Sequence, residues 1–385
     1  MKKTDSFDAF KSNWTRREVL AAGGFALLGL AGCGAKSMPR TTSSNEAMPT
    51  RSMSPTLTPA SASPTSTPET PLTLAFTGDV MFGRTVNSHM LATAPNDPYP
   101  FTYTADVLRR FDLTICNLEC VISKLGAPVP KAYTFRGDPR AYDRLLAAGF
   151  DLVSVANNHS GDYGKAAFLN EFLTLPTRGL TPIGGGQNKQ QAHRPIFKTM
   201  RGTTIAFLAY DEIDPYSFAA TDTTAGHAWL NETDLRQDLV QARRSADFVI
   251  IFVHWGIEYF TELTAHQRSL AQVAIDAGAD LVVGAHPHVI EPYEFYKGKL
   301  IVYSLGNFVF DKMYPEVVRR GNILTLTVQK NRLLAWELVP TRIGDWGEPR
   351  LLSPEQTSKR SWYLYFSERP EEGTMEAKHS PEAKR

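Results

Sequence analysis

The sequence predicts an α/β fold, and three observations carry that expectation. Short apolar runs alternate with helical patterns from Leu72 to about Pro340. The runs are continuously apolar rather than alternating, which implies a sheet buried on both faces. Only at 324–340 does the chain read as a hairpin, turning near Lys330 and Asn331, so an antiparallel edge is expected there.

Taken in order, the strands are expected at 72–76, 113–116, 151–156, 204–210, 248–253, 280–285 and 300–305. Each is rich in β-branched or aromatic residues and ends in Gly, Asn, Asp or His. Helical patterns lie between several of them, at 138–149, 164–179, 231–245 and 264–278. Asn231, with Asp234 three residues on, supplies an N-cap for the third. Pro176 should weaken the last turn of the second, because it has no N–H to donate.

The flanks have a different character. Residues 1–33 read as a lipoprotein signal peptide. A basic start leads through Arg16 and Arg17 into the apolar stretch Val19 to Gly32, then to the lipobox-like "LAGC" ending at Cys33. That stretch is shorter than the roughly 20 apolar residues a bilayer span needs. Cys33 is the expected acylation site, and it would anchor the protein to the outer face of the cell membrane. The arginine pair resembles the twin-arginine export signal; the alternative is a chance pair in the basic region of a Sec signal. Residues 34–71 are rich in Ser, Thr and Pro and read as a disordered tether. The folded domain is expected over 72–340, and 341–385 as a polar C-terminal tail.

Composition excludes some classes. The 385 residues carry 41 basic and 40 acidic side chains, a net charge of +1. No basic excess points to nucleic acid. Three cysteines cannot build a disulfide framework. Cys116 and Cys120, four apart, fit no common zinc spacing and read as packing residues.

Five expected strands end in residues able to bind metal. Asp79 follows the first strand, Asn117 and Glu119 the second, and Asn157, Asn158 and His159 the third. His254 ends the fifth, with Glu258 close behind, and His286 and His288 follow the sixth. Ligands of open α/β sheets bind beyond the carboxyl ends of strands, where residues distant in sequence converge. A convergent set of carboxylate, carboxamide and imidazole suits one or two divalent transition ions such as Mn, Zn or Fe. One carboxylate can bridge two such ions. In "HPH" the i and i+2 side chains of an extended segment share a face, so one histidine could reach each ion. Arg84 could clamp a carboxylate or phosphate, or form a surface salt bridge. Glu258 could accept a hydrogen bond from a ligand histidine, and Asp162 could support the His159 loop. Asn307 could bind substrate, orient a ligand or cap a turn. Trp255, Tyr259 and Tyr163 could line a groove or fill the core.

From Leu72 to about Asp311 the chain resembles the bacterial CapA family of poly-γ-glutamate capsule biosynthesis. The resemblance rests on "GDVMFGR", "NLE", "ANNHSGDYG", "HWGIEY", "GAHPHV" and "SLGNFVFD". That family is similar in turn to calcineurin-like metallophosphoesterases, which implies a β-sandwich flanked by helices with a dimetal centre. By that resemblance, Asp79 and His288 hold the first ion, His254 and His286 the second, and Glu119 bridges. Asn158 is the carboxamide ligand, and His159 protonates the leaving group. Two positions depart from the phosphoesterase pattern. Met81 stands where a ligand histidine is expected, and thioether suits a hard divalent ion poorly. Glu119 replaces an aspartate.

Two functions follow from the resemblance. One is a metal-dependent hydrolase or transferase acting outside the cytoplasm on an anionic polymer such as poly-γ-glutamate, or on its envelope linkage. Its reaction would be attack on a phosphoester or amide. The other is a non-catalytic subunit that binds polymer or a membrane synthase complex and keeps a vestigial metal site.

Overall fold

Leu72, Leu74 and Phe76 pack into one apolar cluster and Ala75 and Val80 into another. This first strand is therefore buried on both faces, as its continuous apolar sequence requires. A computed structural model describes residues 70–311, 313–353 and 356, all within the unit Thr65–Arg385. The signal peptide with Arg16, Arg17 and Cys33, the tether as far as residue 69, and most of the tail lie outside the described residues.

Two sheets form the centre. In the first, Leu72–Val80 pairs in parallel with Leu113–Leu118, which leads on to Leu152–Ser154 and Thr181–Ile183. On its other side Leu72–Val80 meets Arg320–Gln329 in antiparallel register, followed by Arg332–Ile343 and Pro349–Leu351. The short strand Asn307–Val309 also pairs with it, setting Asp79 against Asn307. In the second sheet, Thr203–Asp211, Phe248–His254, Leu281–Ala285 and Lys299–Val302 run parallel. Antiparallel Ile196–Met200 and Tyr293–Tyr296 close its edges.

Side-chain alternation fixes the layers. Phe248, Ile250 and Phe252 join Leu72, Leu74 and Phe76 in one cluster between the sheets. Phe76 and Phe252 meet edge to face at 5.8 Å between ring centres. Val249, Ile251 and Val253 point the other way, onto Leu235 and Leu239 of helix Glu232–Arg243 and Ala271 and Ile275 of helix Ala265–Ala277. The outer face of the first sheet carries helices Arg140–Ala148 and Lys165–Thr177, through residues such as Leu145, Phe168 and Leu175. The fold is thus mixed α/β, two sheets face to face with helices outside.

The four expected helices are present with trimmed ends. Asn231 caps the third, accepting the Asp234 N–H at 2.9 Å. Thr264 and Gln267 form a capping box on the fourth. The helix carrying Pro176 continues to Thr177. The missing donor falls in the final turn, where few bonds remain to lose. Helix Arg84–Ala92 was not expected from sequence; its apolar face is narrow, with only Val86 and Met90 buried.

Strand boundaries differ from expectation at several places; the strand expected at 151–156, for one, is confined to Leu152–Ser154. The first strand runs on to Val80, because Asn307–Val309 supplies a partner for its last residues. Asp79 therefore sits inside the strand rather than after it. Lys299–Val302 is shorter than the apolar run 300–305. The hairpin strand continues through Pro340 to Ile343, and Pro349–Leu351 pairs with it. The sheet thus extends into residues expected to be tail.

Candidate metal centre

Both sheets end at one place. Asp79 and Glu119 come from the first, and His254, His286 and His288 from the second. All five are buried. Donor atoms of Glu119, His254 and His286 lie within 4.8 Å of one another, and so do those of Asp79, Glu119 and His288. Glu119 is common to both trios. His286 Nδ1 lies 3.1 Å from His254 Nε2, and Asn158 Oδ1 lies 3.2 Å from the same nitrogen. His288 Nδ1 lies 3.6 Å from Asp79 Oδ2.

The route into the site is unlike the one expected for "HPH". His286 and His288 both have left-handed backbones, with φ of 98° and 58°. The segment is not extended, so the shared face of alternate residues does not apply. Strained φ values on side chains other than glycine persist only where the surroundings enforce them. Here the two rings converge, 5.9 Å apart between centres.

Glu119 tests whether a metal fits. Both of its carboxylate oxygens are buried without a hydrogen-bond partner. The nearest imidazole nitrogens, on His254, His159 and His288, stand 3.8, 3.9 and 3.9 Å away. A buried, unpaired carboxylate costs several kcal/mol. A divalent ion held by Glu119 with the imidazoles of His254, His286 and His288 would remove that cost, and the mixed oxygen and nitrogen donors suit a transition ion. The residues fit.

Electrostatics of the site agree. Burial, then the charge of Asp79, pushes the Glu119 carboxyl well above its usual range. Burial and the neighbouring histidines hold His254 and His286 well below the usual imidazole range, so both present lone pairs. Burial opposes charge on His288, but Glu119 and Asp79 outweigh it and raise its pKa to about 9.

His159 stands beside the trios. Its Nδ1 is 2.6 Å from Asp162 Oδ2, which orients the ring and leaves Nε2 toward Glu119. Phe135 stacks on it at 4.0 Å. Burial lowers its pKa to about 4 despite Asp162. Asn307 orients a ring too: its Oδ1 is 2.9 Å from His288 Nδ1, and its amide donates to the Val318 carbonyl.

Other expected residues fall in varied places. The Nε of Arg84 pairs with Asp311 at 2.7 Å, and the side chain is 46% exposed. Its guanidinium lies over the Tyr133 and Phe135 rings. Glu258 is exposed and, among the described residues, bonds to no histidine. Left-handed turns at Gly256 and Tyr259 swing that loop outward. Tyr259 instead approaches His288, at 5.8 Å between rings. Trp255 is core, and Tyr163 lies under Arg136. Cys116 and Cys120 are buried, unbridged and part of the core. Met81 packs in the core, and its sulfur accepts the Gly83 N–H at 2.8 Å.

Sequence reasoning missed Lys131. Its ammonium donates to the Asn158 carbonyl at 2.6 Å and to Asp162 at 3.0 Å, and lies 3.2 Å from His159 Nδ1. It sits in a loop with no periodic signal. Asn117 was noted only as a strand end. It is a junction, with Nδ2 2.8 Å from Asp79 Oδ1 and 3.2 Å from His254 Nδ1.

Known proteins place this arrangement in context. Residues 73–312 match the family described as bacterial capsule synthesis protein PGA_cap. The chain is 31% identical over 277 residues to the PGA biosynthesis protein CapA of Bacillus subtilis, covering 71% of this chain and 72% of that protein. It is 28% identical over 287 residues to the capsule biosynthesis protein CapA of Bacillus anthracis, covering 72% and 69%. A looser likeness, with a TM-score of 0.42 and 14% identity, links it to the calcineurin-like phosphoesterase YfkN of Bacillus subtilis, over 76% of this chain and 93% of that one. That likeness is too distant to bear on activity.

Proposed function

The chain belongs to the bacterial capsule synthesis protein PGA_cap family, and from that membership we propose a metal-dependent hydrolase or transferase. It acts on an anionic polymer such as poly-γ-glutamate, or on the polymer's linkage to the envelope. A lipid on Cys33 holds it outside the cytoplasm, beside a membrane synthase complex, after export by the twin-arginine route.

The Glu119 carboxylate carries this reading, because it is buried, without donors and ringed by imidazoles. Glu119, His254, His286 and Asn158 would hold one ion, and Asp79, Glu119 and His288 a second. An ion bound there would supply Lewis acidity toward a phosphoester or amide oxygen. The chain's own groups do the rest. His159, fixed through Nδ1 by Asp162 and neutral at rest because burial lowers its pKa to about 4, takes up a proton at Nε2 from the attacking water and passes it to the leaving group. Lys131 holds the Asn158–Asp162 turn in place. Arg84, braced by Asp311, offers its remaining N–H groups to an anionic group of the substrate.

Met81 favours a second reading. Its sulfur is engaged by Gly83, so the Asp79 side of the centre has one ligand fewer than the phosphoesterase pattern. In that reading the protein binds polymer, or assembles the synthase, without turnover. The discriminating experiment incubates the full-length protein, loaded in turn with Mn, Zn and Fe, with poly-γ-glutamate and a phosphoester panel. Chain shortening or phosphate release supports the enzyme. Polymer binding without turnover under every metal supports the second reading.

A further inference from the structure

Ser160 follows His159 directly, yet its hydroxyl engages a residue outside the metal centre. Its Oγ lies 2.9 Å from His227 Nδ1, and His227 Nε2 lies 3.2 Å from Asp211 Oδ2. The three residues are 1%, 0% and 0% exposed. A serine, histidine and aspartate sealed this completely cannot meet a substrate, so the line is no nucleophile.

Its surroundings point to another role. Asp211 and His227 are locked by backbone bonds. Asp211 N–H donates to the Ala228 carbonyl, its own carbonyl accepts from Leu230, and the His227 carbonyl accepts from Ala220. Asp211 is also the register partner of His254 on the adjacent strand. The Glu212 N–H donates to the His254 carbonyl at 3.1 Å. On the other side, Ser160 N–H donates to the Asn157 carbonyl, and His159 N–H to the Asn157 side chain at 3.1 Å. Gly161 presses flush on Phe218, where a Cβ would come within 2.3 Å of the ring. The contacts close a circuit. It runs from His254 through its strand neighbour Asp211 to His227, Ser160 and the Asn158 turn, then back to His254 across the 3.2 Å contact of Asn158 Oδ1.

We propose that Asp211, His227 and Ser160 form a brace of positioning residues that holds the Asn157–His159 turn against the His254 strand. The brace thereby fixes Asn158 as an arm of the metal centre. This rests on the metal-dependent reading for its consequence, though not for the brace itself. The Asp211–His227 contact is close but not aligned, since neither Asp211 Oδ2 nor His227 Nε2 has a hydrogen-bond partner of good geometry. Such groups are costly when buried and stay in place because the backbone around them is fixed.

The test uses the full chain as wild type, Ser160→Ala, the isosteric Asp211→Asn and His254→Ala. Cobalt(II) affinity is read from d–d absorption, and hydrogen exchange of the 156–163 segment is read without metal. Outer partners of metal ligands typically tune affinity by about 10–100-fold. Ser160→Ala is expected to weaken cobalt binding by about that range and to speed exchange in 156–163, with little change in melting temperature. If Ser160→Ala does not fold, Asp211→Asn carries the same two readouts in the same direction. Unchanged exchange with cobalt affinity near wild type overturns the brace. If the wild type binds no cobalt, the metal reading falls and exchange alone decides: faster exchange supports the brace, and unchanged exchange overturns it.

Discussion

His286 Nδ1 lies 3.1 Å from His254 Nε2, although 31 residues and a whole helix separate them in sequence. They meet because their strands are parallel neighbours, with His254 in register with Ala285. Two neutral imidazoles aimed at each other, with the Glu119 carboxyl beside them, are expected to make the tighter of the two candidate metal positions. The purified protein is expected to carry at least one transition ion, and His286→Ala to lose most of it. Elemental analysis of protein prepared without chelator checks this, and full occupancy in the variant would contradict it.

Metal loading should depend on pH in a definite direction. Without metal, His288 holds its proton to about pH 9, and Glu119 is raised well above the carboxylate range. An ion must displace those protons. Affinity is therefore expected to strengthen as pH rises toward about 9 and to weaken as it falls, with net proton release on binding. Calorimetry in buffers of different ionisation heat reads the release. An affinity that stays level from about pH 6 to about pH 8 is inconsistent with the protonated site.

His159 and His288 should separate chemistry from binding. His159→Ala is expected to cut turnover by about 10²–10⁴-fold with metal content nearly unchanged. His288→Ala should lose both. If His159→Ala strips metal as thoroughly, His159 is a ligand rather than the proton donor. If the protein is an assembly subunit, His159→Ala leaves polymer output untouched.

The anchor is tested apart from the fold. Mass spectrometry of the N-terminal peptide from membrane fractions is expected to find Cys33 acylated and first in the mature chain. An unmodified thiol, or cleavage elsewhere, refutes it.

Much of this was legible because the strands announce themselves. Phe248–His254 and Leu281–Ala285 are unbroken apolar runs, and each stops at or just before a polar donor. Strand ends converge in a parallel sheet, so Asp79, Glu119, His254, His286 and His288 could be grouped before any coordinates. What stayed hidden depends on contacts that no period encodes. Lys131 reaches His159 from an irregular loop. His227 sits on a two-residue strand against Gly185. The left-handed turns at His286 and His288 carry no glycine to mark them. The hairpin pattern stops at Pro340, yet the strand continues to Ile343. Pro340 faces Asn322 within the ladder, whose register shifts only farther along, between Thr327 and Val328.

The first strand also sets an order of events in the making of the protein. Leu72 pairs with Val328, and Asp79 with Asn307, so the segment synthesised first in the domain finds two of its neighbours only when nearly all the rest exists. Closing loops of that length is slow, and until then one edge of Leu72–Val80 stays open to other chains. A chain interrupted before about residue 330 could build the second sheet but never close the first. The nascent domain therefore carries an unpaired strand edge, open to other chains, until residues 320–329 have been made.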